Sequence, residues 1–523
     1  MRSLLFSMPD SFEHTPALTM RMPNGALASL AGNAGPGHQV AIADLVLVQD
    51  RVAHTVERLM REHDPDLVGL SVMTFQRRTA LRLVRLIRAI KPGVTVVAGG
   101  YDPSLASEAY EPPSSGVDCV VRGEGEITFR ELLRTLSRGG DMAAVPGLSF
   151  RPVAGAGFQH VAARPVSRLE DGSLALPDRT ARVLGGYTFL GRPIDIVETS
   201  RGCTYDCSFC SIIEMRGRNF HTFDFSRVLA DISDARARGA RAIFLVDDNI
   251  TLNVTRFEAL CRAIVEAGLD DVHYIVQAMT SSIASHGSTL APLMWRAGFR
   301  YVFLGIENIL DDDLVFLRAS AKNAQRQGGR RTGNATLQAI EALHAAGLSV
   351  VGGIIVGNPD DTREAIEANL AFARQHVDWP YIQHPTPYPG TPMTEDFRRR
   401  NLIVNDRLEE YDGTTAVVRT AHLEAEEVEF LRWRAERWMK LRHLPVVLRR
   451  YPGFVLRHAP RMCAHTFRGS TWRSMLGLES SREVFRRYKQ LRAVEREYVP
   501  EEVSGGNRIG PRTPAFSSGY GSA

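Results

Sequence analysis

Short apolar runs alternating with helical repeats fill the first 145 positions of the chain. The runs lie at 3–9, 40–48, 67–75, 94–100 and 117–126. Between them Leu81, Val84 and Ile87 share one helical face, with Arg82, Arg85 and Arg88 opposite; Leu132, Leu133 and Leu136 repeat the pattern. Val- and Leu-rich strands alternating with helices predict a parallel sheet covered on both faces. Residues 1–145 are therefore expected to form a doubly wound, Rossmann-like α/β domain. Ligands of such sheets sit at the carboxyl ends of the strands. Here those ends carry Ser71–Thr74, Gly99–Gly100 and the stretch 122–125.

Residues 146–193 are richer in Gly, Pro and Arg, and predict a hairpin around Gly155–Gly157 followed by a linker. From Ile194 the alternation restarts, with strands expected at 194–199, 242–247, 272–278, 301–307, 349–357 and 381–387. Helical repeats intervene; Val228, Leu229 and Ile232 share a face. Six such units over 194–400 predict a partial or complete parallel (β/α)6 barrel, whose chemistry belongs at the C-terminal strand ends. Residues 401–502 read as mostly helical and basic, as in "FLRWRAERWMKLRHLPVVLRRY". Residues 503–523 are rich in Gly, Ser and Pro and are expected to be disordered.

Composition adds boundaries. The 523 residues are 44% hydrophobic and 23% charged, with a net charge of +4. That charge is too mild to argue for a nucleic-acid partner. No run reaches the ~18 apolar residues of a membrane span. The start, "MRSLLFSMPDSF", is broken by Pro9 and Asp10 and reads as a buried strand rather than a secretory signal. Six cysteines in so long a chain make no disulfide framework, which implies a reducing cytoplasm. Cys119, Cys261 and Cys463 stand alone and read as ordinary buried thiols.

The other three cysteines do not. "RGCTYDCSFC" places Cys203, Cys207 and Cys210 in a C-x3-C-x2-C array on the loop after the first barrel strand. Thiolates favour zinc or iron–sulfur clusters. A structural zinc site needs four ligands. His221 is the available fourth, which keeps a zinc-bound scaffold as one alternative. A 4Fe–4S cluster held by three thiolates leaves one iron open to a small molecule.

The array, with Phe209 before its last cysteine, resembles the radical S-adenosylmethionine superfamily. A doubly wound domain ahead of the barrel resembles the cobalamin (B12)-binding domain of one of its subgroups. The resemblance implies that a 4Fe–4S cluster on the three cysteines reduces S-adenosylmethionine to methionine and a 5′-deoxyadenosyl radical. It implies S-adenosylmethionine contacts at Phe209; at Asp247, Asp248 and Asn249 after the second strand; at Glu307 after the fourth; and at Ile355 and Gly357 in "GGIIVGNPDDT". It implies cobalamin contacts at Ser71, Thr74, Gly99 and Gly100, with Arg122 and Glu124 at the domain interface. No D-x-H-x-x-G motif is present to supply a cobalt-ligating histidine.

The expected activity is cobalamin-dependent C-methylation of a small molecule, fed by an external one-electron donor of flavodoxin or ferredoxin type. Radical cyclisation or rearrangement without methyl transfer is the enzyme alternative, and no RNA-binding module supports tRNA modification. Gln277 and Thr280 are candidates to face the substrate. The insertion 308–333 is expected to act as a lid, its "QRQGGRR" run meeting an anionic substrate or lying in solvent.

Overall fold

The computed structural model describes the chain except residues 12–18, 154, 328–329, 469–472, 474–475, 496 and 500–523. The expected tail at 503–523 therefore lies outside the described residues. So do the side chains of Cys463 and of 326–331, which make up most of the "QRQGGRR" run.

Two sheets organise the molecule. The first runs in the order Gln39–Asp44, Arg2–Ser7, Leu67–Ser71, Thr95–Gly99, Cys119–Val121, Leu148–Phe150, Gln159–His160. Its first five strands are parallel and the last two antiparallel. The parallel strands are buried on both faces, which is why they read as unbroken apolar runs. Leu4, Phe6, Val68 and Val96 pack against helices Val52–His63 and Arg77–Ile90 on one side. Leu5, Ile42 and Val97 pack against Gly25–Asn33 and Glu126–Arg138 on the other. One arginine departs from the expected polar face. Arg82 is buried and donates to the Val499 carbonyl, because the C-terminal segment crosses over that helix.

The second sheet supplies six parallel barrel strands: Arg192–Val197, Ala242–Leu245, His273–Met279, Phe299–Glu307, Ser349–Ile355 and Trp379–Gln383. They neighbour one another in chain order, and the sixth does not pair with the first among the described residues, so the barrel is partial. Two short strands extend its first edge antiparallel: Thr188–Phe189 and Met20–Arg21. Residues 20–21 thus leave the first domain to pair with the second. Two-residue strands carry no periodicity, so neither is legible from the pattern of apolar positions.

At the other edge the helix Ala425–Arg442 packs against the sixth strand and the helix Arg363–His376. Arg432 from that helix is buried; it donates to the carbonyls of Ile382 and Thr414. Its charge therefore anchors the C-terminal region instead of facing solvent.

Candidate functional site

The cysteine loop is a closed lariat. Ser200–Arg201 pairs antiparallel with His221–Thr222, so residues 200 and 222 meet at its neck. Gly202 opens the loop with φ +91, and a Cβ there would stand 2.4 Å from the Asn219 carbonyl oxygen. Only glycine allows that approach. The far side of the loop is braced. The Ser208 amide donates to the Leu317 carbonyl (3.0 Å), its hydroxyl to Phe316 (3.0 Å), and its carbonyl accepts from the Met393 amide (2.9 Å). Leu317 follows the short helix Asp311–Phe316 of the insertion. The described part of that insertion therefore braces the cysteine loop, where a lid was expected.

Burial dominates the thiols and pushes Cys207 up to about 11 and Cys210 up to about 12. Without a metal both stay protonated at neutral pH, so ligation must displace their protons. Among the described residues no three His, Cys, Asp or Glu side chains converge on a single ion. Ligands of a cluster stand farther apart than those of a single ion, because each thiolate takes a different iron. His221, the proposed fourth zinc ligand, lies at the neck of the lariat with its ring 3.6 Å from Glu170. The donor set fits a cluster better than zinc.

The acidic run after the second strand divides its labour. Asp247 is fully buried and accepts from the Thr199 amide and the hydroxyls of Thr199 and Ser200. Burial raises its carboxyl to about 6 against the pull of those donors. Asp248 accepts from the Gly202 amide (2.7 Å) and pairs with Arg216 at 3.3 Å. Both carboxylates hold the cysteine loop. Asn249 is the member that turns toward the cysteines, with its amide nitrogen 3.9 Å from the Cys203 sulfur and 3.8 Å from the Met279 sulfur.

Glu307 ends the fourth strand at φ +57, where the register to the fifth strand slips at a bulge. A left-handed non-glycine residue stores strain of the kind found at ligand clamps. The bulge turns its carboxylate onto Lys322, with Oε1 2.7 Å from Nζ. Lys322 also lies 6.0 Å from the centroid of Phe209. Sequence reasoning missed Lys322; it belongs to no motif, and only the fold brings it here. Thr280 is buried with its hydroxyl donating to the Gly305 carbonyl, so it is engaged within the barrel wall.

Gly357 has φ +96, and its amide donates to Asp361 (2.7 Å). A Cβ there would meet Val428 Cγ1 at 2.6 Å. The glycine thus makes room for the C-terminal helix, and not only for a ligand. Ile355 is buried, with its carbonyl accepting from Asn308.

In the first sheet the register aligns Ser71 with Gly99 and Gly99 with Val121, which puts the expected strand ends in one row. Ser71 accepts from Asn24 (3.1 Å), and Thr74 is buried in the turn that follows. Gly100 has φ +103, and its Cβ would fall 2.8 Å from the Val72 oxygen. Gly100→Ala is expected to cost about 1–3 kcal/mol of stability, read by thermal unfolding of the full chain. An unchanged transition would refute the steric argument.

Glu124 sits at the domain boundary, 3.5 Å from Arg201. Arg122, expected beside it, does not; it donates to the carbonyls of Leu148 and Val161. The strand Leu148–Phe150 and the segment after Gln159–His160 bring both carbonyls within its reach. The two strand-end regions meet directly. The helix Tyr101–Leu105, which Gly100 starts, packs against the helix Ser211–Arg216, which Cys210 starts.

Two family models match this chain: B12 binding domain over residues 20–133, and Radical SAM superfamily over 197–373. The uncharacterized methyltransferase PH0819 of Pyrococcus horikoshii is 29% identical over 84% of this chain and 93% of its own length. The anaerobic magnesium-protoporphyrin IX monomethyl ester cyclase of Synechocystis is 24% identical over 91% of each. Among solved structures, the radical S-adenosylmethionine methyltransferase TsrM of Kitasatospora setae, with cobalamin and a [4Fe-4S] cluster bound, superposes with a TM-score of 0.62. The match is 20% identical and covers 77% of this chain and 79% of that one. That likeness establishes the fold.

Proposed function

The chain belongs to the radical SAM superfamily and carries a B12 binding domain, and from this we propose that it methylates carbon in a small-molecule substrate. In this reading Cys203, Cys207 and Cys210 hold a 4Fe–4S cluster. Asn249, Glu307, Phe209 and the backbone at Ile355–Gly357 receive S-adenosylmethionine. Ser71, Thr74 and Gly99–Gly100 receive cobalamin. When bound, the cluster supplies the electron that cleaves S-adenosylmethionine, and cobalamin supplies a transferable methyl group.

The chain's own residues place and protect. Asp247 and Asp248 fix the cysteine loop through its backbone and neck. Arg201, with Glu124 and Glu126, fixes one domain against the other. The braced lariat excludes water from the buried Cys207 side. No helix among the described residues is long and apolar enough to cross a membrane. We place the enzyme in the reducing cytoplasm, served by a flavodoxin- or ferredoxin-type donor.

The observation that carries this reading is the packing of the Gly100 helix against the Cys210 helix, which makes the two strand-end sites neighbours. The test is anaerobic reconstitution with iron, sulfide and cobalamin, then incubation with methyl-labelled S-adenosylmethionine and a low-potential reductant. 5′-Deoxyadenosine and passage of label to the cobalamin fraction are expected. 5′-Deoxyadenosine with all label left on methionine would favour the second reading, a radical cyclisation, which the cyclase relative supports. Neither product would refute both.

A further inference from the structure

Lys322 comes from the insertion between the fourth strand and the helix Thr336–Ala345, outside every motif of the sequence. It is held rigidly. Its amide donates to the Ala319 carbonyl (3.0 Å) and its carbonyl accepts from the Ser281 amide (2.8 Å). Its side chain is only 16% exposed, and its ammonium meets Glu307 at 2.7 Å. The same short segment, through Phe316 and Leu317, braces Ser208 between Cys207 and Cys210. A buried cation is thus fixed to the backbone that fixes the cysteines.

The other charges around the loop are paired locally: Asp206 meets Arg218 at 2.6 Å and Asp248 meets Arg216 at 3.3 Å. The Lys322 ammonium stands 6.0 Å from the ring centroid of Phe209, the residue between Ser208 and Cys210, so its charge lies beside the cysteine loop.

We propose that Lys322 is a positioning cation whose charge, balanced by Glu307, sets how readily the bound cluster accepts its electron. The inference rests on the cluster assignment above. Reduction adds one electron from a low-potential one-electron donor, lowers the net charge of the cluster and its three thiolates by one, and makes or breaks no bond. A fixed positive charge nearby favours the more negative, reduced state. Net charge and hydrogen bonding around the sulfurs are established determinants of such potentials. Glu307 opposes the effect, so the pair gives an intermediate value that either substitution displaces in a known direction.

The experiment uses full-length wild type, Lys322→Gln, Lys322→Arg and Glu307→Gln, reconstituted anaerobically with iron and sulfide. Iron content and absorbance near ~400 nm report loading. An electron paramagnetic resonance titration without S-adenosylmethionine then reports the reduced fraction at fixed potential. At the wild-type midpoint, Lys322→Gln is expected to lower the reduced-to-oxidised ratio about tenfold, ~59 mV for a one-electron couple. Glu307→Gln is expected to raise it by a similar factor, and Lys322→Arg to leave it within about twofold. Loaded Lys322→Gln and Glu307→Gln with unmoved ratios would overturn this inference alone. If Lys322→Gln takes up no iron, Glu307→Gln decides by the same criterion. A wild-type chain that takes up no iron would overturn the cluster assignment and this inference with it.

Discussion

Alanine at any one of Cys203, Cys207 or Cys210 is expected to remove the broad absorbance near ~400 nm after reconstitution and to stop 5′-deoxyadenosine formation. The loss should be at least about 100-fold, since even outer partners of metal ligands cost 10–100-fold when removed. In the proposed cluster three thiolates hold three irons, and among the described residues nothing nearby replaces one. His221 faces Glu170, while Asp247 and Asp248 are occupied by loop donors. The fold should survive. The lariat is closed at Ser200–Thr222 and braced at Ser208 without any cysteine side chain. Unfolding temperatures of wild type and variants, compared without metal, should therefore agree. A single-alanine variant that keeps both the absorbance and the product would sink the assignment.

The same physics explains what the sequence disclosed. The six barrel strands were legible because both faces are buried: the runs "AIFL" and "VVGGII" need no alternation when helices cover each side. The first sheet was legible for the same reason. Its antiparallel extension appeared only as a hairpin signal at Gly155–Gly157, because strands of two or three residues are set by their neighbours.

At the site, the cysteine spacing spoke for itself, being local. What stayed hidden depends on contacts far apart in the chain. Val428 occupies the space beside Gly357 from the C-terminal helix. Lys322 reaches Glu307 across an insertion. The acidic run 247–249 looked uniform in sequence, yet two of its members turn to the loop backbone and neck and one to the cysteine side. Adjacent side chains on one short loop point in different directions, and composition cannot say which.

Loss of Arg201 should destabilise the chain strongly, for a reason also invisible in "SRGC". Its guanidinium is 6% exposed and meets Glu126 at 2.7 Å, Glu198 at 2.8 Å and Glu124 at 3.5 Å. Two of those carboxylates belong to the other domain. Burial works to raise the Glu126 carboxyl, but Arg201 and a hydrogen bond from Ser29 hold it down at about 2. Arg201→Met keeps much of the volume and removes the charge. Glu126 and Glu124 are then buried without their cation, a situation that costs about 3–5 kcal/mol. Urea unfolding at pH 7 should show that loss.

The pH dependence gives the cause away. A carboxyl at about 2 when folded and 4.5 when unfolded contributes stability that is complete above 4.5 and lost as pH falls toward about 2. In Arg201→Met the Glu126 carboxyl has lost what held it down, and burial now raises it. Protonation then relieves the variant, so its deficit relative to wild type should shrink from pH 7 to pH 5. Adding Glu126→Gln to Arg201→Met should recover part of the stability at pH 7 and flatten the dependence. A deficit equal at both pH values would mean that lost packing, and not the stranded carboxylates, destabilises the variant. Because the cysteine loop begins at the next residues, separation of the domains at Arg201 should also separate the Gly100 helix from the Cys210 helix. The variant should therefore lose bound cobalamin before it loses iron.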